Sequence, residues 1–174
     1  MEEALNEAKK SLYEHNEVPV GCVFIYNNEI IARGHNLVNL TKNPTRHAEF
    51  VCIDAVLQYC KDNKIDNYND VFKDITVVVS VEPCIMCMSA LYNLKIKSII
   101  YGCKNDRFGG QTVVNVADYI SNETSLQGGV CEEQAMNLLK QFYKMENPAA
   151  PIPAKRDKTK NKTQDDQTAT QNFE

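Results

Sequence analysis

Residues 75–87 read Ile75-Thr76-Val77-Val78-Val79-Ser80-Val81-Glu82-Pro83-Cys84-Ile85-Met86-Cys87, and this stretch decides the fold. Ile75–Val81 is β-branched almost throughout, the pattern of a strand buried on both faces. Pro83 suits the first position of a helix, where its missing N–H has no helical partner to lose. A helix is therefore predicted from Pro83 to about Leu94. It is apolar nearly all round (Ile85, Met86, Met88, Leu91), so a core or a partner must enclose it. Cys84 and Cys87 fall in its first two turns, where the helix dipole favours thiolate over thiol.

Downstream, Ser98–Cys103 reads as a second buried strand, followed by a Gly-rich loop, Asp106–Gly110. A last helix, about Glu132–Met145, would bury Ala135, Leu138, Leu139 and Phe142, with acids at its start and lysines near its end. Upstream, residues 61–73 read as polar and irregular. Before them a helix is predicted from about Arg46 to Cys60, with Thr45 as N-cap and Ala48, Val51, Cys52, Ala55, Val56 and Tyr59 at helical spacing. Val20–Tyr26 and Glu29–Ala32 read as a hairpin turned at Asn27-Asn28, since Asn tolerates the positive φ of tight turns. An amphipathic helix over residues 2–14 carries Ala4, Leu5, Ala8 and Leu12 on one face. A hairpin, then helix–strand–helix–strand, implies an α/β fold with parallel strands and both sheet faces covered.

His47-Ala48-Glu49 adds the chemistry. His47, Cys84 and Cys87 fill three corners of a tetrahedral Zn²⁺ site and leave the fourth for water, whereas a structural zinc takes four protein ligands. Glu49 is then free to serve as general acid and base. A lone Cys-x-x-Cys is as readily redox-active or half of a structural site, and a lone histidine is usually a core or surface residue. The combination is more specific, because His47 is one of only three histidines. The pattern H-x-E…P-C-x-x-C is that of zinc nucleobase deaminases. Glu49 lies about 200° around a regular helix from His47, so either the first turn is irregular or the metal sits across the helix end. Asn36 is the choice for a side chain reading the base edge, with a strand-ending turn as its plainer role.

At 174 residues the chain reads as one domain over 1–146, followed by a tail, 147–174. The net charge of −4 argues against a uniformly basic nucleic-acid binder. The tail is Pro-rich (Pro148, Pro151, Pro153) and then basic, with five basic residues and one acidic from Lys155 to Lys162, and it reads as disordered. Its charges fit solubility or polyanion binding. Seven cysteines, no signal peptide and no bilayer-spanning run point to a reducing compartment, cytoplasmic and/or nuclear, with no membrane partner. Cys22, Cys52, Cys60, Cys103 and Cys131 read as small apolar side chains.

With these residues in hand, the chain resembles the cytidine-deaminase superfamily, and within it the catalytic subunits of the eukaryotic heterodimeric tRNA adenosine deaminases. The similarity runs from the first helix to about Pro151. It rests on Glu17-Val18-Pro19-Val20-Gly21-Cys22, Tyr26-Asn27-Asn28-Glu29, Thr41-Lys42-Asn43-Pro44-Thr45-Arg46-His47-Ala48-Glu49, Val81–Cys87, and Tyr101-Gly102-Cys103 with Arg107-Phe108-Gly109-Gly110. It implies a three-layer cytidine-deaminase-like fold, a mixed five-stranded sheet with helices on both faces. It implies zinc on His47, Cys84 and Cys87, Glu49 as catalytic residue, and hydrolysis of wobble adenosine to inosine in tRNA. It also implies a heterodimer with a related non-catalytic subunit, docked through the third helix. Val20, Asn36 and Ala48 match the adenine pocket. Asn105 and Arg107 match a loop on the anticodon strand, and Lys155, Arg156 and Lys158 a basic segment that holds tRNA. Residues 117–132 match least, and the fifth strand is not placed from sequence. Two rivals stand beside this reading. A free deoxycytidylate or cytidine deaminase would carry the same zinc motif, but no Gly-rich phosphate cradle is visible. A scaffolding subunit that retains zinc would have no need of Glu49.

Overall fold

Five strands form one mixed sheet: β1 (Gly21–Tyr26), β2 (Glu29–His35), β3 (Thr76–Val81), β4 (Ser98–Cys103) and β5 (Ser125–Gln127), in the order β2-β1-β3-β4-β5. The computed structural model describes residues 1–145; the tail lies outside them. β1 runs antiparallel to both β2 and β3, while β3, β4 and β5 are mutually parallel. The hairpin turns at Asn27 and Asn28, both at positive φ (50° and 64°) as a tight primed turn requires. β3 and β4 are joined by a helical crossover, as parallel neighbours require, whereas β4 and β5 are joined by a loop with one 3-10 turn, Val116–Asp118.

The helices are α1 (Glu2–His15), α2 (Val38–Thr41), α3 (Ala48–Asp62), α4 (Tyr68–Asp74), α5 (Ile85–Asn93) and α6 (Glu132–Lys144). On one face, Cys52 and Val56 of α3 and Met88 and Leu91 of α5 pack with Phe24, Val77, Val79 and Ile99 from the strands. On the other, Leu5, Ala8 and Leu12 of α1 meet Ala135 and Leu138 of α6 over Val81 and Cys103. Val78 joins Ala4 on the α1 side while Val77 and Val79 face α3 and α5, which is the period-two alternation of a strand buried on both faces. α1 lies so close to β1 that a Cβ on Gly21 would collide with the backbone of Ala4 and Ala8.

Several boundaries differ from expectation, each for a local reason. Residues 61–73 are not wholly irregular: α4 forms there because Val71 and Phe72 are buried amid otherwise polar neighbours. β2 continues past Ala32 to His35, where Gly34 lies against the Ala48 carbonyl with no room for a side chain. The short α2 is anchored from outside by buried Glu17, whose Oε1 accepts the N–H groups of Asn39 (2.5 Å) and Leu40 (2.9 Å). α3 starts at Ala48, not Arg46. Thr45 does not cap it, because its N–H and hydroxyl both bond the Asn43 side chain. α5 starts at Ile85, not Pro83, whose carbonyl instead accepts the Gly110 N–H at 2.9 Å. β5 is only three residues long and lies in the segment that matched least, bonded to β4 through Ser98, Ile99 and Ile100.

Candidate metal centre

Both helix starts converge on one point because each places a ligand at the cap position. His47 is the N-cap of α3 (φ −73°, ψ 159°) and Cys84 the N-cap of α5 (φ −67°, ψ 168°), so both are extended and project off the helix ends. Cys87 follows in the first turn of α5. This settles the angular conflict between His47 and Glu49: only Glu49 belongs to the helix. The donor set lies across the helix end.

The His47 Nδ1 atom is 3.5 Å from each of the Cys84 and Cys87 sulfurs, and the three donor atoms lie within 4.8 Å of one another. Ordinary Zn–N and Zn–S bond lengths in a tetrahedron place nitrogen about 3.6 Å from sulfur, so the donor set fits zinc in type and spacing. No other His/Cys/Asp/Glu cluster of this kind exists among the described residues. The hydrogen bond from the Cys87 thiol, with that from His47, draws the Cys84 thiol down to about 4. Cys87 moves the other way, because it donates to Cys84 and is buried. The same Cys84 contact raises His47. Hydrogen bonds among the three donors thus favour the thiolate form of Cys84.

Glu49 is 2 % exposed, and its Oε2 has no hydrogen-bond partner among the described residues. Burial, with the Cys84 charge adding to it, pushes its carboxyl up to about 7. A carboxyl poised at that value beside a metal-ligand set can both take and give a proton near neutral pH.

The structure gathers three of the expected pocket residues here. Asn36 is buried; its Oδ1 accepts the Ala48 N–H at 3.1 Å, and its own N–H donates to the Val20 carbonyl at 3.1 Å. Asn36 therefore orients the first turn of α3, while its side-chain NH₂ has no protein partner among the described hydrogen bonds. Asn105 is turned inward: its Oδ1 accepts the Phe108 N–H and its own N–H donates to Glu82. Arg107 is exposed on the same loop. Lys155, Arg156 and Lys158 lie outside the described residues. Cys131 is exposed, not a core side chain, because it sits at φ 58° as the N-cap of α6.

Sequence reasoning missed Glu82. It is 1 % exposed, and its carboxylate accepts the N–H groups of Asn105 (3.0 Å), Gln111 (2.9 Å) and Thr112 (2.8 Å) and the Thr112 hydroxyl (2.7 Å). Burial acts to raise its pKa, but bonds from Thr112, Asn105 and Gln111 outweigh that and hold it below the ordinary value. The available signal was a carboxylate standing between an apolar strand and Pro83. Such a group must find donors or stay neutral.

The described geometry has counterparts among known proteins. The family model for the cytidine and deoxycytidylate deaminase zinc-binding region matches residues 1–103. A tRNA-specific adenosine deaminase 2 of Xenopus tropicalis is 49% identical over 156 residues, covering 87% of this chain and 91% of the relative. A tRNA-specific adenosine deaminase of Streptococcus pyogenes is 31% identical over 147 residues, covering 83% of this chain and 87% of the relative. A solved structure from a study of A-to-I editing by tRNA:A34 deaminases at the wobble position of transfer RNA superposes with a TM-score of 0.69 at 27% identity, covering 80% of this chain and 97% of its own. The chain belongs to the cytidine and deoxycytidylate deaminase zinc-binding family, on its branch of tRNA-specific adenosine deaminases.

Proposed function

We propose that this chain hydrolyses adenosine to inosine and ammonia at the wobble position of tRNA anticodons, as the zinc-dependent catalytic subunit of a heterodimer. The observation that carries the reading is the buried Glu49 carboxyl, unpaired at Oε2, next to the three-donor set of His47, Cys84 and Cys87. Zinc held by those three residues would lower the pKa of a bound water to about 7 and so supply a nucleophile at neutral pH. Glu49 Oε2 takes the proton of the attacking water and delivers it to the adenine ring nitrogen. It then carries a proton to the departing amine. Asn36 offers its free NH₂ to an acceptor on the base edge. Val20 and Ala48 line the same pocket.

The relatives' names support tRNA as substrate. The basic run Lys155–Lys162 suits an extended polyanion better than a single nucleotide. Support for the partner subunit comes from α5, whose outward side leaves Ile85 36% exposed with Met86 half-buried. The test is to incubate the zinc-loaded chain, with and without a related deaminase-like subunit, with anticodon stem-loops and with free nucleotides. Inosine from stem-loops supports the reading; uridine from free cytidine nucleotides without inosine would replace it with a free-nucleotide deaminase. Cys84→Ala should lose bound zinc, and a zinc-loaded Cys84→Ala protein would overturn the ligand set.

A further inference from the structure

We propose that Phe108 is a stacking platform for an unpaired RNA base adjacent to the reacting adenosine, displayed by a loop that Glu82 locks in place; this rests on the tRNA reading above. Phe108 is 62% exposed, although the backbone around it is held as tightly as a core segment. Its N–H donates to Asn105 Oδ1 (3.1 Å) and its carbonyl accepts the Ile85 N–H (2.8 Å). On either side, the Glu82 carboxylate holds Asn105, Gln111 and Thr112. The following glycines have no slack. A Cβ on Gly109 would come 2.5 Å from Glu82 Oε1 and 2.6 Å from the Asn105 carbonyl, and one on Gly110 would collide with Met88. A loop so fixed cannot fold Phe108 back into the core, so the ring remains in solvent.

Its location and neighbours indicate the occupant. Ile85, which binds the Phe108 carbonyl, directly follows Cys84 of the donor set, and Gly109 bridges to Cys84 itself, so the backbone that carries the ring is tied to the metal centre. Lys104 and Arg107 are exposed on the same loop and form no ion pair among the described residues, with Asp106 the one acid between them. An aromatic face flanked by cations is the arrangement that takes an unpaired base and its phosphates. The reacting base occupies the pocket, so the base on Phe108 is its neighbour in the strand. A protein partner is the competing occupant, and a lysine beside the patch disfavours it.

The test measures kcat and KM on an anticodon stem-loop with the zinc-loaded full chain and its related subunit. Phe108→Ala should raise KM roughly 5- to 150-fold, the range that losing one base–aromatic stack implies. The kcat at saturation should stay within a few-fold, and Phe108→Tyr or Phe108→Trp should restore KM. An abasic nucleotide placed immediately 5′ or 3′ of the target should penalise the wild type and add little to Phe108→Ala. An unchanged KM, or an abasic penalty that is fully additive with the mutation, overturns the proposal. So does a Phe108→Ala protein whose subunits separate on gel filtration, which would assign the ring to the protein interface. A wild type that makes no inosine refutes the tRNA reading instead, before any variant is compared.

Discussion

Glu49 and Glu82 are two carboxylates of equal burial, 2 % and 1 % exposed, each within two residues of a metal-ligand helix cap. Glu82 is saturated by four donors and held ionised. Glu49 is left with one oxygen that finds no partner among the described residues, and is raised to about 7. An unsatisfied buried polar group costs stability, so a domain that furnishes four donors to one carboxylate and leaves an oxygen of the other without any marks the second as chemistry. Position in sequence does not separate the two. Hydrogen-bond supply does.

The contrast breaks first, and most visibly, in activity. Glu49→Gln should reduce turnover by about 10²- to 10⁴-fold, the usual share of a general acid–base group, while zinc content is kept and the melting temperature holds or rises. A parallel loss of metal would make Glu49 a ligand and erase the distinction. The next largest effect is on stability. Glu82→Ala strands three backbone N–H groups and should destabilise the domain by about 2–3 kcal/mol, roughly 5–10 °C in a thermal melt. Glu82→Gln should fall between it and the wild type. If Glu82→Ala melts like the wild type, water replaces the carboxylate and the loop is not locked by it.

Gly109→Ala approaches the same contact from the other side. Its Cβ must push against Glu82 and the Asn105 carbonyl, so a cost of about 1–2 kcal/mol is expected, with melting again the readout. The smallest effect is in pH dependence. Glu82 titrates below its ordinary 4.5 in the folded state, so its contribution is complete above that pH and is lost as pH falls through the folded value. Melting curves from pH 6 to pH 3 should therefore fall more steeply for the wild type than for Glu82→Gln. Parallel curves would show that the hydrogen bonds, and not the charge, do the holding.

How far the sequence foretold this contrast depends on the range of the interactions. The buried strands, the hairpin turn and the cluster of three donors were legible, because β-branched runs, paired asparagines and donor spacing are local signals. The helix starts were misplaced by two residues each, since Asn43 diverts Thr45 and the Gly109–Gly110 loop holds Pro83 and Cys84 outside α5. α4 was not foreseen, and the fifth strand was expected but not placed. One depends on two buried side chains among polar ones, the other on three residues borrowing a neighbour's ladder. Glu82 was invisible for the same reason: its donors lie 23 to 30 residues away.

His47 and Cys84 are 37 residues apart and sit at the very ends of their helices, not within them. A metal shared by such residues is a removable cross-link. Closing a loop of that length by a permanent bond would restrict the unfolded chain by about 4 kcal/mol. That loop encloses all of α3, α4 and β3, the middle of the sheet. On the zinc reading, chelation should therefore shorten the protein's lifetime under proteolysis as well as silence it.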